Sequence, residues 1–146
     1  MKNIIQISEA ASLALHGTGL LAYNGRRMSI HEISDIIGAS EAHLSKVFQR
    51  LVRQGLVRSV RGPGGGFELT RPPEDITLLE VYSAIEGIPS SDTCLLRSGS
   101  CPFKKCIFGD LIKDLTQRFL EHLENTTLGE LAKQRTEPDE ADKTSA

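Results

Sequence analysis

Residues 59–67 read S-V-R-G-P-G-G-G-F, and no other stretch limits the fold as tightly. Four glycines and a proline within residues 62–66 rule out a helix there. The flanking runs, residues 56–60 and 67–70, alternate like strands with Arg58 turned outward, so the whole reads as a β-hairpin. Upstream, Ser29-Ile30-His31-Glu32 is an S-x-x-E capping box, and Ile30, Ile33, Ile36 and Ile37 give the short helix that follows its buried side. Gly38 ends that helix. Ser40 caps the next one, in which Leu44, Val47, Phe48 and Leu51 form one apolar stripe continued by Val52, and Gly55 closes it. A first helix is expected over residues 7–23, with Ile7, Ala10, Ala11, Ala14 and Leu21 near one face and with Gly17 and Gly19 lowering its propensity. Two short helices joined by a glycine turn and followed by a hairpin make a winged helix-turn-helix, mainly α with a small β wing.

That arrangement points to double-stranded DNA. The second helix would be the recognition helix, with its N-terminal residues at base edges and Lys46, Arg50 and Arg53 toward phosphate. Taken alone, those cations would read as a solvated helix face. At the wing, Arg61 would enter a minor groove, while Gly64 and Gly65 let the backbone approach closely. Charge distribution agrees. The net charge is only −2, yet residues 26–71 carry eight Lys and Arg against four Asp and Glu, and residues 107–146 carry five against nine. A polyanionic partner is therefore expected for the first half only. The glycine-rich turn lacks a P-loop lysine, which excludes nucleotide binding of that kind.

Thr77-Leu78-Leu79-Glu80 is a second capping box, with Ile76 and Val81 spaced as a hydrophobic staple; its helix runs to about Glu86, before Gly87. All three cysteines, Cys94, Cys101 and Cys106, then fall in residues 94–106, C-L-L-R-S-G-S-C-P-F-K-K-C, a loop without apolar periodicity. Thiolates are soft ligands for Fe–S clusters, zinc or Cu(I). Three readings of the thiols stand open: a metal or cluster centre, a structural zinc site with one further ligand, and a thiol switch that forms disulfides on oxidation. A small electron carrier would leave the helix-turn-helix unexplained. A long helix over residues 107–124 follows, with Phe108, Leu111, Ile112, Leu115, Phe119 and Leu123 in one stripe. It is longer than a small core needs, so it reads as a dimerisation helix, and a homodimer suits a palindromic operator. A third capping box, Thr127 to Glu130, would start a last short helix. The expected division is residues 1–87 for DNA binding, 88–106 for the cysteine loop, 107–135 for dimerisation and 136–146 as a disordered acidic tail. No run is apolar enough to span a bilayer and no signal-peptide pattern opens the chain, so a cytoplasmic protein with reduced thiols and no membrane partner is expected.

The wing signature at residues 59–67, the three-cysteine loop and T-L-G-E-L at residues 127–131 together resemble the Rrf-two winged-helix regulators of bacteria. The resemblance implies a homodimeric regulator, a repressor or an activator and not an enzyme, whose DNA affinity is set by a 2Fe-2S or 4Fe-4S cluster responding to nitric oxide, redox or iron status. It implies that Cys94, Cys101 and Cys106 hold the cluster, that Ser40, His43 and Ser45 stand on the groove-facing part of the recognition helix, and that Arg61 is the wing arginine. Some members use a histidine three residues after the last cysteine, where this chain has Gly109. Others use an acidic residue of the first helix, donated across the dimer. By itself Glu9 is a carboxylate favoured at a helix N-terminus. The resemblance of E-A-A-S-L-A-L to the family's first helix makes it the implied fourth ligand, ahead of His16, His31, His43 and His122.

Overall fold

The computed structural model describes residues 7–90, 94–96 and 101–134. Helix α1 spans Glu9–Asn24, α2 Ile30–Ile37 and α3 Glu41–Arg53. Strands β1, Val57–Val60, and β2, Gly66–Leu69, form an antiparallel hairpin in which Arg58 faces Glu68 and Ser59 faces Phe67. A single 3-10 turn, Pro73–Asp75, leads to α4, Leu78–Glu86; α5, Leu111–Asn125, and α6, Leu128–Lys133, complete the chain. The mostly helical fold with a two-stranded wing and a long C-terminal helix is the one expected. The tail expected at residues 136–146 lies outside the described residues.

The local signals act as the side chains dictate. Two of the three expected capping boxes form: the Ser29 hydroxyl accepts from Glu32 N while the Glu32 carboxylate accepts from Ser29 N, and Thr77 and Glu80 repeat the exchange. Each box satisfies two of the backbone N–H groups that a helix start leaves unpaired. Leu44, Val47, Phe48 and Leu51 are buried, and Ile76 and Val81 are fully enclosed. In the wing, Gly64 has φ +72°, a Cβ on Gly65 would lie 2.4 Å from Val60 O, and one on Gly66 would lie 2.4 Å from Met28 O. The glycine run is thus demanded by the turn itself and by Met28, whose N–H donates to Phe67 O and whose carbonyl accepts from Phe67 N, adding a short third edge to the hairpin.

Four expectations change. Helix α1 is buried around most of its circumference, with Ala11, Leu13, Ala14, Gly17, Thr18, Gly19, Leu21 and Ala22 all enclosed, while Ile7 precedes it and is exposed. Gly17 and Gly19 are contact points in that packing. A Cβ at Gly17 would lie 2.7 Å from the Phe48 ring, and one at Gly19 would lie 2.9 Å from Leu131. Ile36 and Val52 sit at the edges of their stripes, about 90° from the centre at 100° per residue, and are 60% and 36% exposed. The long helix starts at Leu111 and not at residue 107, because Gly109 has φ +54° and residues 107–110 are a turn. Its C-terminal half packs on α4 through an edge-on contact between Tyr82 and Phe119, centroids 5.4 Å apart.

The third capping box does not form, since the Thr127 side chain makes no cap bond. Glu130 N donates instead to the Thr127 carbonyl at 3.2 Å, and the two helix starts are joined through their backbones. Leu78 N donates to Thr126 O and Leu128 N to Ile76 O, each at 2.9 Å, pairing Thr77 with Thr127 as an isolated bridge. The first N–H of α4 and that of α6 are therefore satisfied by each other's leading strand.

Gly17→Ala gains up to about 1 kcal/mol of helix propensity but drives a methyl into the Phe48 ring. The net effect expected is a loss of about 1–2 kcal/mol, because a fully buried ring has nowhere to move. Urea unfolding of the variant against wild type measures it, and an unchanged midpoint would contradict the packing described.

Candidate nucleic-acid interface and cysteine segment

Helix α3 begins where Ser40 Oγ accepts from His43 N at 3.2 Å, which leaves Ser40 exposed at the helix start. His43 and Ser45 are half-buried, and Lys46 is exposed on the side away from the Leu44–Phe48 core. His31 of α2 bonds to Glu41 at 2.6 Å and lies 3.3 Å from Asp35, linking the two helices of the helix-turn-helix. The Glu41 bond, and then the charge of Asp35, raise the His31 pKa above 6.5.

The cations of residues 26–71 divide into two sets. Arg26 pairs with Glu32, Arg27 and Arg58 both with Glu68, and Arg71 with Glu80. Arg27 also donates to Gly64 O at 3.4 Å, so the Arg58–Glu68–Arg27 chain braces the back of the wing turn. The bond from Arg58, followed by that from Arg27, holds the Glu68 carboxyl below its ordinary range. Arg50 donates to Ile85 O at the end of α4. Among the described residues, Lys46, Arg53 and Arg61 make no ion pair or side-chain hydrogen bond; Lys46 and Arg53 lie on α3, Arg61 at the wing turn, and all three are exposed. Unpaired charges on two adjacent elements are what a polyanion meets first.

The cysteine segment is different in kind. Cys94, Cys101 and Cys106 are free and exposed. Among the described residues, no group of three or more His, Cys, Asp or Glu is placed to hold a metal ion, so a single chain does not assemble Glu9 and the cysteines into one site. Glu9, at the first residue of α1, has its carboxylate 3.7 Å from His43 Nδ1. The donor set still suits a thiolate-held centre in its chemistry: three uncommitted thiols within 13 residues, with no disulfide competing for them. His16 is satisfied locally by Ser12 O at 2.7 Å, and His122 stands in the last turn of α5.

The family profile for Rrf2, an iron-dependent transcriptional regulator, matches residues 7–134. The chain belongs to the Rrf2 family. Among curated relatives it is similar to the HTH-type transcriptional regulator IscR of Klebsiella pneumoniae (strain 342), 40% identical over 100 residues that span 68% of this chain and 61% of the relative. The match therefore covers less than two thirds of that relative's length. Among solved structures it is similar to CymR, the global cysteine regulator of B. subtilis, with a TM-score of 0.72 and 29% identity over 89% of this chain and 98% of that one. IscR of T. potens superposes with a TM-score of 0.71 at 23% identity, over 98% and 95%, a likeness of fold alone. These Rrf2 relatives carry the names of regulators and not of enzymes.

Sequence reasoning missed three contacts that position the Rrf2 elements: Glu9 with His43, Arg50 with Ile85, and the Arg27–Glu68 brace. Each joins residues more than 30 positions apart. Only the alternation placing Arg58 and Glu68 on one outward face of the hairpin carried a readable hint.

His31 gains its partners on folding, so its contribution to stability is full below pH about 6.5 and is lost as pH rises through the higher folded-state value. His31→Gln is expected to flatten that part of the stability profile. Urea midpoints from about pH 5.5 to 8.5 check it, and a variant that loses stability with rising pH as wild type does would contradict the pairing.

Proposed function

We propose that this protein is a homodimeric DNA-binding transcriptional regulator whose affinity for DNA is set by an iron–sulfur cluster held by Cys94, Cys101 and Cys106. The observation that carries the reading is the conjunction of the unpaired cations Lys46, Arg53 and Arg61 on a helix-turn-helix and wing with three free, exposed thiols on one downstream segment. Ser40, His43 and Ser45 meet base edges, Lys46 and Arg53 meet phosphate, and Arg61 enters the minor groove beside the turn at Gly64 and Gly65. Glu9 supplies the fourth ligand across the dimer.

Two unpartnered apolar surfaces support the dimer. The start of α5 leaves Phe108, Leu111 and Leu115 between 42% and 51% exposed. A groove of about 680 Å³ between α1, α2 and α6 is lined by Leu15, Leu20, Tyr23 and Ile36. Contiguous apolar area of this kind marks an interface. No helix among the described residues is long and apolar enough to cross a membrane. A cluster, when bound, supplies a charged and oxidisable crosslink between the segments that hold it. The protein's own part is to present the thiols, to keep them out of disulfides and to connect their segment to α4. Repression is the outcome expected when the bound dimer covers its operator. The same free thiols also suit a second reading, in which zinc or reversible disulfide formation replaces the cluster.

The reading is tested by fluorescence anisotropy with a duplex selected from random-sequence DNA by the wild-type protein. Cluster-loaded and cluster-free protein are expected to differ at least about fivefold in affinity, and Cys101→Ser to behave as cluster-free protein under all conditions. Equal affinity of the two forms would leave a DNA-binding dimer without a cluster switch.

A further inference from the structure

Arg50 stands on the polar side of α3, where a phosphate contact is expected, but its guanidinium is turned to the body of the protein. It donates to Ile85 O at 2.5 Å. Ile85 belongs to the last turn of α4, which ends at Glu86; Gly87 follows, and from there the chain runs into the segment that carries the cysteines. The last carbonyls of a helix have no partner within it and sit at the negative end of its dipole, so a cation there is a cap. Gly87 N closes α4 on Ser83 O, and the recognition helix supplies the donor for the Ile85 carbonyl.

Two further contacts meet at the same place. Ser8, the N-cap of α1, donates from its hydroxyl to the Glu86 carboxylate. The Glu9 carboxylate lies 3.7 Å from His43 on α3. The start of α1, the polar side of α3 and the end of α4 thus converge on one junction. It lies where α4 leads into the cysteine segment.

We infer that Arg50 is a positioning residue that couples the cysteine segment to the recognition helix, and is not a contact to DNA phosphate. The inference rests on the proposed reading that the state of the cysteines sets DNA affinity. That segment joins the folded body at two ends, the last turn of α4 and the turn before α5, and the α4 end is the one that contacts the recognition helix. The bond from Arg50 to Ile85 O makes α3 move with the last turn of α4, so two arrangements of the segment become two positions of the recognition helix. A phosphate contact and a positioning bond differ in a measurable way. Each phosphate neutralised adds about 0.9 to the slope of log affinity against log salt, whereas a residue that acts through another helix adds nothing to it.

The experiment uses the duplex selected by wild-type protein and the variants Arg50→Gln, Arg50→Lys and Lys46→Gln, the last as a phosphate-contact reference. Two quantities are read: the salt slope of the cluster-free protein, and the ratio of cluster-loaded to cluster-free affinity. Arg50→Gln is expected to keep the wild-type slope and to shrink the ratio at least about fivefold, while Lys46→Gln lowers the slope and keeps the ratio. Arg50→Lys, which retains a charged donor on a longer stem than glutamine's, is expected to keep the slope and recover part of the ratio; if Arg50→Gln does not fold, this variant carries the test, with a reduced ratio at unchanged slope. A lowered slope with the full ratio in the Arg50 variants would overturn the inference while the switch itself stands. A wild-type ratio of one would overturn both.

Discussion

The ring of Phe48 holds the structure together. It is fully buried, it lies where a Cβ on Gly17 would be only 2.7 Å away, and it meets Phe67 of the wing edge-on with centroids 5.0 Å apart. One side chain of α3 therefore fixes the recognition helix to α1 on one side and to the hairpin on the other. The absence of a side chain at Gly17 is as much a part of this contact as the ring, because close-packed interiors do not yield to an added methyl. Orientation of α3 relative to the wing, the quantity on which a two-element grip on DNA depends, follows from it.

A second division of labour appears in the charges. Salt bridges this exposed contribute little to stability, so Arg58, Glu68 and Arg27 are better understood as fixing the back of the wing turn than as stabilising the fold. Within residues 26–71, the cations left without an ion pair are those on α3 and at the wing turn. Counting basic residues along the sequence merges these two sets, and only the partners separate them. Arg50 illustrates the difference: its spacing places it with Lys46 on the polar side of a helix, yet its guanidinium is committed to a carbonyl 35 residues away.

Much of the fold was legible because the sequence states it locally. A capping box involves four consecutive residues, an apolar stripe two turns of one helix, and a glycine hairpin a single turn; all of these formed as expected around Ser29, Thr77, Leu44 to Leu51 and residues 61–66. What was not legible depends mostly on neighbours distant in sequence. Thr127 has the residues of a capping box, but Glu130 N donates to its carbonyl and its side chain makes no cap bond. Gly17 and Gly19 look like flaws in a helix until Phe48 and Leu131 are placed against them. The sequence shows three cysteines gathered in one segment but not how any donors are brought together. Cys94, Cys101 and Cys106 are recognisable from spacing, and the contact of Glu9 with His43 has no sequence signal at all.

What the three thiols hold decides how the protein is regulated, since free and exposed cysteines suit a cluster, a zinc ion or a disulfide switch. The most direct measurement is an ultraviolet–visible spectrum of protein purified without oxygen, with iron and zinc counted in the same sample. Iron present with a broad visible band near ~400 nm, lost in Cys101→Ser, is the result predicted for thiolate-held iron. A colourless protein carrying stoichiometric zinc, or neither metal, would contradict it.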